Sequence, residues 1–321
     1  MSDRLYYFSR IIDAYVLRKT SQLDFWHGKP ETNPRARYDV LGPYYQKFRY
    51  KALYRGPKDE NGIPLLDYHG KIGRQYNPIA IAQYGLGHYN LCYEGNTESC
   101  HKFVKVSDFM VKTLEKNEKG LYVWFHHFDW DYRGKVKSPW YSGLAQGNGV
   151  SLLVRAYHET GEKKYLIALE RAAESLMSPI NSGGCTYRDR KGYRWIEEII
   201  KNPPTHILNG FMWAVFGVYD LYLFIQSPFY KREFDSYIKT LRDNLYLFDA
   251  RIWSFYDATS DRMLASPFYH RLHLVQLDIL YRMTHEPVFR HFRDKWYAYT
   301  ENEFNKIIAL FYKAGFKLLK Y

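Results

Sequence analysis

The 321-residue chain is 46% apolar and carries 46 Lys+Arg against 34 Asp+Glu, a formal charge of +12, enough apolar residue to bury one large core or two smaller ones and enough positive charge to favour an anionic partner. No recognisable nucleic-acid module or concentrated Arg/Lys stripe is present, and the 32 Tyr and 8 Trp favour an acidic glycan over nucleic acid, because sugar rings present C–H faces to aromatic rings and hydroxyls to phenols. Cys92, Cys100 and Cys185 are odd in number and lack a C-x-x-C spacing, which suggests neither a disulfide framework nor a zinc site and fits a reducing compartment.

The start, MSDRLYYFSRIIDAY, interrupts its apolar residues with Asp3, Arg4, Arg10 and Asp13, so it has no signal-peptide core. With no run of ~20 apolar residues for a transmembrane helix, the expectation is a cytoplasmic protein, or one working at the inner membrane surface. Residues 1–75, with Pro30, Pro34, Pro43, Pro57 and Pro64, read as an irregular lead-in lying across the helical part of the chain. Residues 76–300 repeat one plan at intervals of roughly 60 to 70 residues. A polar or small-residue start leads into an apolar helix, a turn, and a second helix with apolar residues at i, i+3, i+4 and i+7.

One such hairpin cannot bury both faces, so successive hairpins pack around a common axis. The prediction is an all-α fold, an α/α barrel or toroid of about four helical hairpins in a single domain over 1–321, with short strands or loops at 120–141 and 180–204. Gly161 supplies a positive φ that ends a helix, and Pro228 and Pro287 open the following ones. The basic run 301–321, with Lys306, Lys313, Lys317 and Lys320 beside an apolar stripe, reads as a terminal helix packed on the barrel or on a second subunit, in preference to a weak association with an acidic membrane surface.

Several local patterns have a plain reading beside a functional one. Gly143, Gly147 and Gly149 in SGLAQGNG lack the Lys-Ser/Thr ending of a phosphate loop, so close helix packing accounts for them better. His270 and His273, three apart on one helical face, have metal-ligand spacing, but a satisfied core histidine is the commoner case. In Phe125-His126-His127-Phe128-Asp129-Trp130-Asp131-Tyr132-Arg133 the neighbouring residues project in different directions. Loop packing or an aromatic wall of a glycan groove fits that segment better than a metal site.

Four segments carry a resemblance. They are YNPIAIAQYGLGHYN (Tyr76 to Asn90), WYSGLAQGNGVSLLVRAY (Trp140 to Tyr157), WIEEIIKNPPTHILNGF (Trp195 to Phe211) and FYHRLHLVQLDILY (Phe268 to Tyr281). Together they resemble the C-terminal helical domain of the D-glucuronyl C5-epimerases, from roughly Tyr76 to Lys295. The β-rich N-terminal region of the animal members has no evident counterpart here. The resemblance implies inversion of glucuronate to iduronate within a heparosan-like acidic polysaccharide, with no nucleotide or organic cofactor, and it makes a homodimer plausible; no strong ligand set in the sequence implies a metal.

C5 of a uronate is weakly acidic because the neighbouring carboxylate resists becoming an enediolate dianion. The reaction therefore needs acid/base groups on both faces of the ring and a cradle for the carboxylate. By resemblance, the family glutamate falls on Glu198 and two family tyrosines fall on Tyr256 and Tyr269. The tyrosine after the glutamate is replaced by Ile199, and a family arginine by Thr259. The expected roles are Glu198 and Tyr269 as the two acid/base groups, with Tyr256 bonding the carboxylate or relaying a proton. Asn209, His273 and His270 would orient the sugar, and Arg271, Arg188, Arg190 and Arg194 are the candidate cations. Tyr84, His88, Tyr141 and Gln146 in the matched segments are further sugar contacts.

The plain reading of Asn209 is a helix N-cap. A uronate lyase shares the first proton abstraction, and a glycoside hydrolase would instead use a carboxylate pair from Asp129, Asp131, Glu197 and Glu198. A non-catalytic glycan-binding protein is the remaining alternative.

Overall fold

A computed structural model describes residues 25–68 and 70–320. The readings made on residues 1–24 lie outside it, as do the side chains of Lys313, Lys317 and Lys320. A one-turn helix, α1 (Arg49–Ala52), precedes four consecutive hairpins: α2 (Pro78–Tyr93) with α3 (Thr97–Lys112), α4 (Gly143–Thr160) with α5 (Lys163–Met177), α6 (Leu208–Ile225) with α7 (Pro228–Asn244), and α8 (Pro267–Thr284) with α9 (Pro287–Glu301). A last helix, α10, spans Glu303–Lys320.

The first helix of each pair is inner and the second outer. In α2, α4 and α6 nearly every side chain is buried, whereas α3, α5, α7 and α9 each bury one stripe, the pattern expected when helices shield an inner layer from water. The inner helices touch in the order α2, α4, α6, α8, so the hairpins form an α/α barrel. The described strands are antiparallel pairs two or three residues long, one in the lead-in (Leu66–Asp67 with Arg74–Gln75) and the rest in the inter-hairpin loops, such as Phe125–His126 with Trp140–Tyr141 and Thr186–Arg188 with Arg194–Ile196.

Local chemistry sets the helix ends. Asn77, Ser142 and Ser266 accept backbone N–H bonds at the starts of α2, α4 and α8, and Pro78 and Pro267 take first-turn positions. Gly161 ends α4 at φ 67°, and Pro228 and Pro287 open α7 and α9, as expected. Inner helices α4 and α6 lie close because both carry glycine at the crossing. A Cβ on Gly147 would stand 2.4 Å from the Ala214 Cα, and one on Gly217 2.4 Å from the Gly147 carbonyl oxygen. The packing account of Gly147 therefore holds. Gly147→Ala is expected to cost about 1–3 kcal/mol, since the obstacle is backbone rather than a side chain that can turn away; a urea titration measures it.

The lead-in touches all four inner helices. The Asn90 side chain accepts from Tyr44 N–H at 2.7 Å and donates to the Gln46 carbonyl at 2.8 Å. The Trp213 indole donates to Gln46 Oε1, and the His27 and Phe268 rings lie 5.1 Å apart. Arg155 and Asp220, both fully buried, pair at 2.7 Å between α4 and α6, and Tyr45 donates to the same carboxylate at 2.7 Å.

One sequence expectation needs correction. Cys92 and Cys100 form a disulfide with a Cα separation of 4.7 Å, because the tight turn between α2 and α3 returns residue 100 beside residue 92. That bond withdraws the cysteine-based argument for a reducing compartment. One helix among the described residues, Leu208–Ile225, is apolar and long enough to cross a membrane, but 78% of that span is buried as α6 inside the barrel. Helix α10 buries Asn305 and Ala309, while Phe304, Ile307 and Phe311 are exposed.

Candidate active site

The site lies at the end of the barrel where the inner helices begin. Unlike the other three inner helices, α6 starts without a side-chain cap, its N-cap being Ile207, so Asn209 is not the cap that its plain reading suggested. Instead the Leu208 N–H donates to the Tyr256 carbonyl at 3.1 Å. That bond ties the loop before α8 to the start of α6. Asn209 sits one residue further on, buried, with its Oδ1 unpartnered.

The adjacent glutamates have opposite fates. Glu197 is fully buried, accepts from the Thr205 and His206 backbone N–H groups at 3.2 and 3.0 Å, and accepts from the His206 imidazole. It is a structural anchor, and Trp195 stacks on the same imidazole with ring centroids 4.2 Å apart. Glu198 points the other way, against α6, where a Cβ on Gly210 would stand 2.1 Å from its Oε2. Only glycine at 210 admits the carboxyl there. Its Oε2 is buried without a hydrogen-bond partner, and burial, with the Glu197 charge behind it, pushes the carboxyl up to about 8. Such a group gains or loses a proton near neutral pH.

Tyr256 and Tyr269 meet edge to face with ring centroids 4.9 Å apart. Burial first, then the neighbouring Glu198, Tyr269, Tyr132 and Asp257, hold the Tyr256 phenol well above its ordinary range. The motif residues Glu198, Asn209, Tyr256 and Tyr269, distant in sequence, therefore converge. His273, one turn after Tyr269 on α8, is buried with Nδ1 2.9 Å from Ser254 Oγ and Nε2 unpartnered. Gln276 on the same helix donates to the Asn209 carbonyl at 2.9 Å.

Other expected residues are elsewhere. His270 is a core histidine: it stacks on Trp253 at 3.8 Å, and its nitrogens meet the Trp296 carbonyl and Ser254. Tyr84 and His88 face α3 and the lead-in, with His88 Nδ1 3.0 Å from Ser99 Oγ and Lys58 over the Tyr84 ring. Tyr141 donates to the Gly183 carbonyl at 2.9 Å, and Gln146 Oε1 accepts from Trp124 N at 3.4 Å. Arg194 is held by Glu233 on α7 at 2.6 and 2.7 Å, Arg188 and Arg190 are exposed on their hairpin, and Arg271 is exposed on α8. None of the four joins the Glu198 cluster in a described contact, because each projects from an outward face of its element.

Tyr132 stands beside Tyr256, with Arg133 and Lys201 next to Tyr132, and none of the three was among the expected site residues. The hairpin Trp130–Val136 inserts Tyr132, whose ring centroid is 6.1 Å from that of Tyr256 and whose hydroxyl donates to Asp257 Oδ2 at 2.5 Å. Tyr132 packs in the same apolar cluster as Ile199, bringing a phenol from another segment to the neighbourhood where Ile199 has none. Arg133 grips Asp257 at 3.1 and 3.0 Å, and Thr259 donates to the same carboxylate at 2.6 Å. Lys201 Nζ donates to the Tyr132 and Arg133 carbonyls at 2.9 and 2.6 Å, with the Asp131 carboxylate also acting on its charge. The available signals were the aromatic and charged segment that ends in Tyr132 and Arg133 and a lysine three residues after Glu198.

The family described as the D-glucuronyl C5-epimerase C-terminus matches residues 116–298. The chain belongs to this family. Carbohydrate epimerase chemistry, an isomerase activity, is what the family supports in coarse terms, and the matched range contains the whole Glu198 cluster. An uncharacterised protein of Methanocaldococcus jannaschii is 24% identical over 79% of this chain and 90% of its own length. A D-glucuronyl C5-epimerase of Caenorhabditis elegans is 26% identical over 62% of this chain but only 35% of its own. Thus the chain spans about a third of the nematode enzyme it matches. Among solved structures, a glycoside hydrolase family 76 mannosidase from Bacteroides thetaiotaomicron aligns over 68% of this chain and 59% of its own, with 14% identity and a TM-score of 0.39, a likeness too remote to bear on the chemistry.

Proposed function

We propose that this C5-epimerase family member inverts C5 of D-glucuronate residues within a heparosan-like acidic polysaccharide. The observation that carries the reading is the Glu198 carboxyl, its buried Oε2 unpartnered, placed beside the Tyr256–Tyr269 pair. In its ionised form Glu198 takes the C5 proton on one face, and the electron pair passes into the substrate carboxylate. The Tyr269 phenol then gives its proton to C5 from the other face. Glu198 is left protonated and Tyr269 ionised, and exchange with water restores both, so C5 acquires solvent hydrogen.

Tyr256 donates to the substrate carboxylate, and Lys201, with Arg133 beside it, offsets the charge that builds there. These two take the place of the four arginines expected from the sequence. Asn209 and His273, with unpartnered polar atoms, meet ring hydroxyls. The hydrolase alternative loses support because Glu197 already accepts three bonds and Asp129 is held by Lys137 at 2.8 Å.

Incubation with unsulfated and N-sulfated heparosan in D₂O, followed by NMR, tests the reading. Deuterium at C5 with iduronate in intact chains is the expected result. Deuterium with unsaturated chain ends would identify a lyase, and no exchange in either polymer would reject the proposal.

A further inference from the structure

The wall next to the Tyr256 cluster carries aromatic surface that the proposed chemistry does not use. Trp130 and Trp140 come from different strand pairs, yet both pack against the apolar cluster that includes Tyr132 and Tyr256 and on which Tyr269 also rests. Both indoles stand nearly perpendicular to the buried Phe128 ring, at 86° and 79°, with centroids 6.3 and 6.1 Å away. Tyr68 completes the row, 4.9 Å from Phe128 and 5.5 Å from Trp130. Trp130, Trp140 and Tyr68 are each only half-buried, so the row reaches solvent.

Two of these rings are held in fixed orientations. The Trp140 indole N–H donates to the Phe128 carbonyl at 2.9 Å, and one face lies flat on the fully buried His126 imidazole, with centroids 3.9 Å apart at 6°. The Tyr68 hydroxyl accepts from Asn77 Nδ2 at 2.7 Å. A contiguous apolar patch that reaches solvent beside a polar site marks a place of interaction, and rings with few rotatable bonds, already fixed, lose little entropy on binding. Arg133, Lys135 and Lys137 stand on the same short hairpin and its flank, of which Lys135 and Lys137 are exposed. Arg133 is paired with Asp257 and Asp261 and Lys137 with Asp129, so it is the rings themselves, beside the exposed Lys135, that suit the apolar C–H face of a sugar residue in an acidic glycan.

We propose that Trp130, Trp140 and Tyr68 form a stacking subsite for the sugar next to the reacting uronate, so that the enzyme recognises a chain rather than a single residue. This inference rests on the proposed epimerase reading for the identity of the polymer. The subsite contributes to binding in proportion to chain length and takes no part in proton transfer.

The test compares binding of a glucuronate-containing disaccharide and octasaccharide by isothermal titration calorimetry, using wild type, Trp130→Ala, Trp140→Ala and Trp140→Phe, each checked for folding by circular dichroism. Wild type is expected to bind the octasaccharide at least about tenfold more tightly. Each alanine variant should lose about 5- to 100-fold for the octasaccharide, the range of aromatic stacking on a ring face, and less than about twofold for the disaccharide. Trp140→Phe should keep most of the affinity. Equal losses at both lengths, or none in either alanine variant, would overturn the subsite. If Trp140→Ala does not fold, Trp130→Ala, on its separate two-residue strand, decides by the same comparison. C5 exchange is measured in parallel. Length-dependent binding without exchange rejects the epimerase reading and leaves the subsite; exchange with length-independent binding does the reverse.

Discussion

Glu198→Gln is expected to remove C5 hydrogen exchange by about 10²–10⁴-fold, the usual contribution of a positioned acid/base group, while making the protein more stable at alkaline pH. The second effect arises because the carboxyl is pushed up to about 8 by burial and by Glu197. An unfolded-chain glutamate titrates near ~4.3. The folded state therefore holds a proton that the unfolded state has released throughout the interval between those values, and stability falls as pH rises through it. The contribution is fully present below the unfolded value and is lost as pH rises through about 8, a loss of about 5 kcal/mol by linkage.

Glutamine is neutral at every pH, so the melting temperatures of variant and wild type should nearly coincide at pH 4 and diverge in favour of the variant by pH 8.5. Proton abstraction also needs the ionised carboxyl, so log kcat/KM of the wild type should rise with unit slope and level off near pH 8. Melting curves in which the variant gains nothing from alkaline pH would show that the Glu198 environment is less burying than its position against Gly210 implies. A pH–rate profile lacking that limb would remove Glu198 from the base role.

Arg155→Met is expected to cost about 3–5 kcal/mol in urea unfolding, because it strands the Asp220 carboxylate inside the barrel. The guanidinium donates to Asp220 at 2.7 and 3.0 Å, to the Gly42 carbonyl at 2.9 Å and to the Ser151 carbonyl at 2.8 Å. The lead-in is thus tied to α4 and α6 through one charge. Replacing the whole set, Arg155→Met with Asp220→Leu and Tyr45→Phe, removes every charge and the hydroxyl that bonds them. Most of the loss should then be recovered, since apolar residues of similar volume replace buried ion pairs at little cost. Strict additivity of the single losses would argue that the three side chains do not form one unit.

The hairpins were legible because helical periodicity is local: α3, α5, α7 and α9 declare their buried stripes within each window of residues, and Gly161, Pro228 and Pro287 act on the backbone where they stand. The part of the site read through the motif was legible as a set of residues, yet not as an environment. That Glu197 and Glu198 diverge, one saturated and the other unpartnered, depends on Thr205 and His206 returning beneath the loop and on Gly210 leaving room above it. The arginine candidates failed for a related reason. Sequence neighbours of a motif residue share its segment but not its direction, so Arg194 reaches outward to Glu233 while Lys201 turns back to the Tyr132 hairpin.

The sequence by itself determined the hairpin repeat, the α/α class and, through the motif segments, Glu198, Tyr256 and Tyr269, because periodicity and short-range spacing are properties of the chain. Only the tertiary structure decided the Cys92–Cys100 bond, the Arg155–Asp220–Tyr45 tie, the raised Glu198 carboxyl and the arrival of Tyr132 beside Tyr256. Each of these depends on which groups from other segments are brought near and on how much water they exclude. Proton affinity and ion pairing are set by that three-dimensional neighbourhood, which no single stretch of sequence contains.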